Sequence, residues 1–179
     1  MVGVQPFRYA LVTNATTTTY AVLVVTTTEP TGTGVFDMGL VANGVGDLTQ
    51  VPSYIELVPY GVGADTKTFN MRVTGFNATN DATKIYVPQL ITEITCTLSG
   101  VITGTPLIAS ALMVDTIVVN KGPIDNGVWR SFTSPANDTA ASLILHTRGC
   151  RYLTFDFDID AGGGSAVTNA NCLWRPFDF

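Results

Sequence analysis

The sequence predicts an all-β protein, an antiparallel, jelly-roll-like β-sandwich with at most one short helix. Polar and apolar residues alternate from Tyr152 to Asp160, so that one face of a strand is buried and the other is solvated. Other short runs rich in β-branched residues follow one another, with turn signals roughly every 8 to 12 residues. The chain also contains 27 threonines and only 13% charged residues. Threonine is suited to the outer face of a sheet.

The chain is long enough for one domain with its own core. It has 179 residues, of which 46% are hydrophobic, and a core of that size needs no metal or disulfide. Residues 1–19 end in a polar, threonine-rich run and are predicted to be an amino-terminal arm or an edge segment. Residues 20–179 are predicted to form the single β-sandwich domain.

The first half of the domain is predicted to hold four strands. Tyr20–Thr28 has a near-continuous apolar run, and the later strands alternate in polarity. Pro59 is expected to end the second strand, and Pro88 is expected to place the fourth near an edge or a crossing between sheets. The predicted strands are Tyr20–Thr28, Ser53–Val58, Thr68–Phe76 and Leu90–Leu98.

The second half begins with the helix candidate, Thr105–Leu112, in which threonine can cap and proline suits the first turn. Five strands are predicted after it, and the last two are expected to form a hairpin joined at Gly162–Gly164. They are Asp115–Val119, Val128–Phe132, Ser142–His146, Arg151–Asp160 and Ala166–Phe179.

Charge and cysteine content exclude several partner classes. A net charge of −5 and a pI near 4.6 argue against nucleic acid, which selects a basic patch. The most apolar stretches are far shorter than the roughly 20 residues of a membrane span. Cys96, Cys150 and Cys172 match no zinc spacing and are predicted to be buried thiols. A disulfide between Cys150 and Cys172 stays open.

We expect no catalytic residue, metal or cofactor. His146 is the only histidine, and no Gly-x-Ser-x-Gly motif accompanies it. Asp156, Asp158 and Asp160 could bind calcium, form a solvated acidic face, or meet basic residues of a partner. Gly162–Gly164 reads as a hairpin loop rather than as a phosphate cradle, because no helix is predicted after it.

The aromatic residues near loops and in the carboxyl-terminal tail are the candidates for a partner interface. Large apolar side chains at such positions need a neighbour, and arginine beside tryptophan is typical of protein interfaces. Simple core packing is the alternative. The candidate interface residues are Trp129, Trp174, Arg175, Phe177 and Phe179.

Two segments, His146–Asp160 and Asn171–Phe177, resemble virion structural proteins of tailed bacteriophages. An aliphatic strand, a Thr-x-Gly turn and an aromatic-rich strand recur in their β-sandwich proteins. The resemblance covers the last third of the chain. It implies a head decoration, or cement, protein that binds the major capsid protein and stabilises the head. It further implies a homo-oligomer, with a trimer favoured, assembled in the host cytoplasm and located on the capsid surface.

Two other functions stay open at this point. The chain could be a carbohydrate-binding module of a phage tail or fibre, with Trp129, Asp125 and Asn126 presented to sugars. It could also be a small glycosidase or esterase, which would need two converging carboxylates or a base beside a nucleophile. A non-enzymatic structural protein is the expectation.

Overall fold

The computed structural model describes residues 8–10, 35–38, 53–76, 85–101, 111–122, 127–133, 139–159 and 167–177. These residues form ten β-strands, and every pair of neighbouring strands is antiparallel. The strands are β1 (Arg8–Ala10), β2 (Val35–Asp37), β3 (Tyr54–Gly63), β4 (Thr68–Phe76), β5 (Pro88–Val101), β6 (Ala111–Lys121), β7 (Gly127–Thr133), β8 (Thr139–His146), β9 (Tyr152–Asp158) and β10 (Val167–Phe177).

The strands form one curled sheet with two halves. The first half has the order β1-β10-β3-β8-β7 and the second has the order β6-β5-β4-β9-β2. The halves are joined where Tyr60–Val62 of β3 pairs with Ala111–Met113 of β6. Phe36 of β2 contacts Trp174 of β10 across the fold, with ring centroids 5.1 Å apart. This arrangement confirms the predicted all-β, antiparallel class.

A single large core lies between the two halves. It is built from alternate residues of the strands, as the period of two requires. Leu57 and Trp174 contribute from the first half, and Phe69, Ile94 and Phe157 contribute from the second. A small second cluster of Phe76, Tyr86 and Tyr152 lies beside it. The predicted buried face of β9 is confirmed by Leu153, Phe155 and Phe157, which are all buried.

The predicted carboxyl-terminal hairpin is wrong. β9 pairs with β4 and β2, whereas β10 pairs with β3 and β1. The two strands therefore belong to different halves of the sheet. The alternation within each strand is a local property, but the choice of neighbour depends on the whole core, which the local pattern does not report.

The predicted roles of Pro59 and Pro88 are wrong. Pro59 lies inside β3 and is paired with Cys172. On the other edge of β3, β8 pairs with residues up to Leu57 and β6 pairs with residues from Tyr60 onward. Pro59 lies in the gap between these two neighbours, where its missing N–H costs no backbone hydrogen bond on that side. Pro88 is the first residue of β5, a position that tolerates proline. β5 is consequently an internal strand between β4 and β6, not an edge strand.

The helix candidate is partly contradicted. Ala111 and Leu112, its last two residues, belong to β6. The rest of the helix candidate lies outside the described residues, as does the predicted strand Tyr20–Thr28.

Within residues 1–19 the structure describes β1, which pairs with β10 at one end of the sheet. Thr147–Gly149, the Thr-x-Gly of the segment His146–Asp160, forms a turn between β8 and β9. Arg148 and Gly149 have φ of 58° and 71°, and the Cys150 N–H donates to the Thr147 carbonyl at 3.0 Å.

Candidate functional site

The best-defined polar surface lies on the second half of the sheet, across β9, β4, β5 and β6. We call it the ladder face. It consists of three cross-strand rows of side chains that point away from the core. Strand pairing sets most of these rows, because residues directly opposite one another in an antiparallel pair share a face. The exception is Thr95, which is opposite Val118 and is reached by Asn120 from two residues further along β6.

The first row carries charges of alternating sign. Strand register places Asp156, Arg72, Glu93 and Lys121 next to one another in that order. Arg72 Nη2 donates to Asp156 Oδ2 at 2.9 Å, and Lys121 Nζ lies 3.2 Å from Glu93 Oε1. The Lys121 side chain is 65% exposed, whereas that of Arg72 is 10% exposed. The row is neutral overall. The Arg72–Asp156 pair is more buried than the Lys121–Glu93 pair, so water and salt weaken its attraction less.

The second row is a chain of amide and hydroxyl groups. Asn120 Nδ2 donates to Thr95 Oγ1, and the Thr95 hydroxyl donates to Asn70 Oδ1, both at 2.7 Å. Asn70 is itself opposite Asp158 of β9. These bonds fix three side chains from three strands in one arrangement, which lowers the entropy lost when a partner binds them.

The third row consists of threonines. Thr68 of β4 is opposite Thr97 of β5, and Thr97 is opposite Thr116 of β6. Together the three rows give a face of hydroxyl, amide and paired charged groups. Such a face can form many hydrogen bonds with a partner, and the four charges of its first row are paired within the chain.

The four predicted interface residues that the structure describes lie on β7 and β10, outside the strands of the ladder face. Trp174 is 2% exposed and lies in the core, which is the packing role that the sequence left open. Trp129 pairs with Leu143 through the β7 backbone, and Arg175 and Phe177 pair with Glu56 and Tyr54 through the β10 backbone. The side chains of these three residues, and the whole of Phe179, lie outside the described residues.

His146 has a local structural role at the end of β8. Its Nδ1 accepts the Arg148 N–H at 2.9 Å, and its ring meets Tyr54 edge-on with centroids 5.0 Å apart. Ser142 lies on the same strand four residues away, roughly 13 Å along a strand that rises about 3.3 Å per residue. That spacing is well beyond hydrogen-bond reach of the imidazole.

One of the three carboxylates considered for calcium has a basic partner within the chain. Asp156 is paired with Arg72, and Asp160 lies outside the described residues. Among the residues that the structure describes, no group of three or more His, Cys, Asp or Glu side chains is placed to hold a metal ion. The same residues include no helix long and apolar enough to cross a membrane.

The three cysteines are free and buried, as predicted for buried thiols, and no disulfide joins Cys150 to Cys172. Burial raises the pKa of the Cys150 thiol from 9.0 to about 11. Burial also raises the pKa of Cys96 and Cys172 well above the ordinary value. Thiols held in this way are poor nucleophiles, because the thiolate is the reactive form.

Sequence reasoning missed the ladder face. Most of its residues are visible as polar positions on predicted strands, such as Asn70 and Arg72 in Thr68–Phe76, but Asn120 and Lys121 lie just beyond the predicted strand Asp115–Val119 and belong to the longer β6. Which polar positions become neighbours depends on strand order and on the register shifts between β5 and β6. Comparisons of the chain with protein families, with characterised proteins and with solved structures find no match.

Proposed function

We propose that the protein is a non-enzymatic structural component of a bacteriophage virion, a head decoration protein that binds the major capsid protein. The observation that carries the proposal is the ladder face, a broad sheet surface whose polar groups are fixed by cross-strand bonds. A protein that covers a shell at many equivalent sites needs a rigid contact surface, and a rigid surface loses little entropy on binding.

The charge balance of the ladder face supports the same proposal. Its two ion pairs, Arg72–Asp156 and Lys121–Glu93, are internal to the chain. A partner that covers this row therefore meets charges that are already paired, and desolvating an unpaired charge is costly in a polar interface. The low charged fraction of the whole chain, 13%, fits a protein that makes extensive contacts.

The test is co-sedimentation of the purified protein with undecorated tailed-phage capsids. We expect the wild-type protein to pellet with capsids, and Thr97→Arg to weaken this binding at least tenfold, because it places a bulky charge in the threonine row. Thr168→Arg is the matched control, since Thr168 is an exposed threonine on β10 in the other half of the sheet. A protein that stays in the supernatant, or two variants that bind alike, would contradict the proposal.

A carbohydrate-binding module is the second candidate. The chain of Asn120, Thr95 and Asn70 favours it, because amide and hydroxyl groups in a fixed array match the hydroxyls of a sugar. Binding to a glycan array, abolished by Thr95→Val and unaffected by Thr168→Val, would move this function to first place. The same preparation should then fail to pellet with capsids.

A further inference from the structure

The ladder face is most accessible along β6. In its first row the Lys121 side chain of β6 is 65% exposed, whereas the side chains of Glu93 and Arg72 are 15% and 10% exposed. Thr116 and Val118 of β6 are exposed as well. A partner that approaches the ladder face therefore meets the β6 side chains first.

Val118 is a large apolar residue in the middle of these polar groups. It is opposite Thr95 of β5, so its side chain shares the ladder face with the Thr95 hydroxyl. Thr116 and Asn120 flank it along β6, and Val118 is 53% exposed. An exposed apolar group with hydrogen-bonding groups on three sides has the composition of an interface centre and its polar rim.

The polar groups beside Val118 form a chain with a direction. Asn120 Nδ2 donates to Thr95 Oγ1, and the Thr95 hydroxyl donates to Asn70 Oδ1. Neither Asn120 Oδ1 nor Asn70 Nδ2 takes part in a further hydrogen bond within the described part of the chain. One end of the chain can therefore accept a hydrogen bond from a partner, and the other end can donate one.

We propose that Val118 is the apolar anchor of the contact between the ladder face and the capsid protein. This inference rests on the proposed function and adds the chemistry of the capsid site. That site offers an apolar recess for the two methyl groups of Val118. A hydrogen-bond donor for Asn120 Oδ1 and an acceptor for Asn70 Nδ2 border the recess, and no net charge is needed there, because the first row is already paired within the chain.

A valine suits this role for two physical reasons. Its branched side chain is stiff on a strand, so little conformational entropy is lost when a partner covers it. Burial of its methyl groups supplies affinity without a required direction, whereas the polar chain beside it fixes the orientation of the partner. A hydroxyl group in the same recess would lose its bonds to water without a replacement, which is costly.

The test replaces one methyl group at each of two adjacent valines. Val118→Thr keeps the shape of the side chain and its suitability for a strand, but it should weaken capsid binding roughly fivefold or more. Val119→Thr is the matched control. Val119 is 40% exposed, but it is opposite the buried Ile94 and therefore belongs to the other face of β6. We expect this control to bind capsids like the wild-type protein.

Titration of capsids in the co-sedimentation assay gives the dissociation constant of each protein. Far-ultraviolet circular dichroism and the urea midpoint check that both variants are folded. A wild-type protein that binds capsids, with two variants that bind equally well or are weakened equally, would overturn the role of Val118 and leave the proposed function standing. A wild-type protein that does not pellet with capsids would overturn both.

Discussion

At the scale of single residues, the contact between Gly75 and Cys150 leaves no room for a side chain at position 75. A Cβ atom on Gly75 would lie 2.5 Å from Cys150 Sγ, 2.7 Å from Cys150 Cβ and 3.2 Å from Ile91 Cδ1. Gly75 is on β4 between Gln89 of β5 and Leu153 of β9. The absence of a side chain there lets the turn before β9 lie against the sheet, as expected where chain segments approach closely.

We expect Gly75→Ala to lower the free energy of unfolding by about 1–3 kcal/mol, the usual cost of overpacking a core. Urea denaturation measures it. In a Cys150→Gly background both clashing cysteine atoms are gone, so the same substitution should cost much less. An equal cost in the two backgrounds would show that the close contact is not the cause.

The buried thiol of Cys150 predicts a dependence of stability on alkaline pH. Its pKa is about 11 in the folded protein and 9.0 as an ordinary thiol. Well below pH 9 the thiol is protonated in both the folded and the unfolded protein, so it adds no pH dependence to the free energy of unfolding. Between pH 9 and 11 only the unfolded state loses its proton, so the free energy of unfolding falls as the pH rises.

The measurement compares the wild-type protein with Cys150→Ala by urea denaturation at pH 8 and pH 10. We expect the wild-type protein to lose more stability than the variant over this interval, since the other titrating groups are common to both. Parallel losses in the two proteins would mean that Cys150 ionises equally readily when folded.

At the scale of elements, β2 shows how a three-residue strand is held at the end of the sheet. Arg151 Nε and Nη2 donate to the two oxygens of Asp37 at 3.0 and 2.7 Å. The Arg151 guanidinium also lies 4.9 Å from the centre of the Tyr152 ring. A bidentate, half-buried pair of this kind is stronger than an exposed ion pair, so it anchors β2 to the start of β9.

A double-mutant cycle on Asp37→Ala and Arg151→Ala should give a coupling energy of roughly 1–2 kcal/mol. The matched control is the cycle on Glu93→Ala and Lys121→Ala, whose lysine is 65% exposed and whose coupling should be under about 1 kcal/mol. Chemical denaturation provides all the values. Similar couplings for the two pairs would contradict a special role for Arg151.

The elements also show what a sequence can and cannot predict here. Thr68–Phe76 was predicted with the bounds that β4 has, because its alternation and its turn are local signals. The assignment of β9 and β10 to different halves was not predictable from their own residues. The ladder face, which joins Arg72 to Glu93 through strand pairing, depends on the same non-local order and on register shifts that follow from packing.

At the scale of the whole molecule, the two halves of the sheet depend on one core. Cys96 on β5 and Cys172 on β10 belong to different halves, yet both lie in the same buried cluster. Neither half could keep its buried face from water without the other. We therefore expect the described fold to unfold as one cooperative unit.

Thiol labelling can test this cooperativity, because the two cysteines are 0% and 1% exposed and burial raises the pKa of both. Pulses of an alkylating reagent at increasing urea concentration, read by peptide mass spectrometry, should give one midpoint for Cys96 and Cys172. That midpoint should match the one from far-ultraviolet circular dichroism. Labelling of Cys172 at a clearly lower urea concentration than Cys96 would mean that β10 and its half of the sheet open independently.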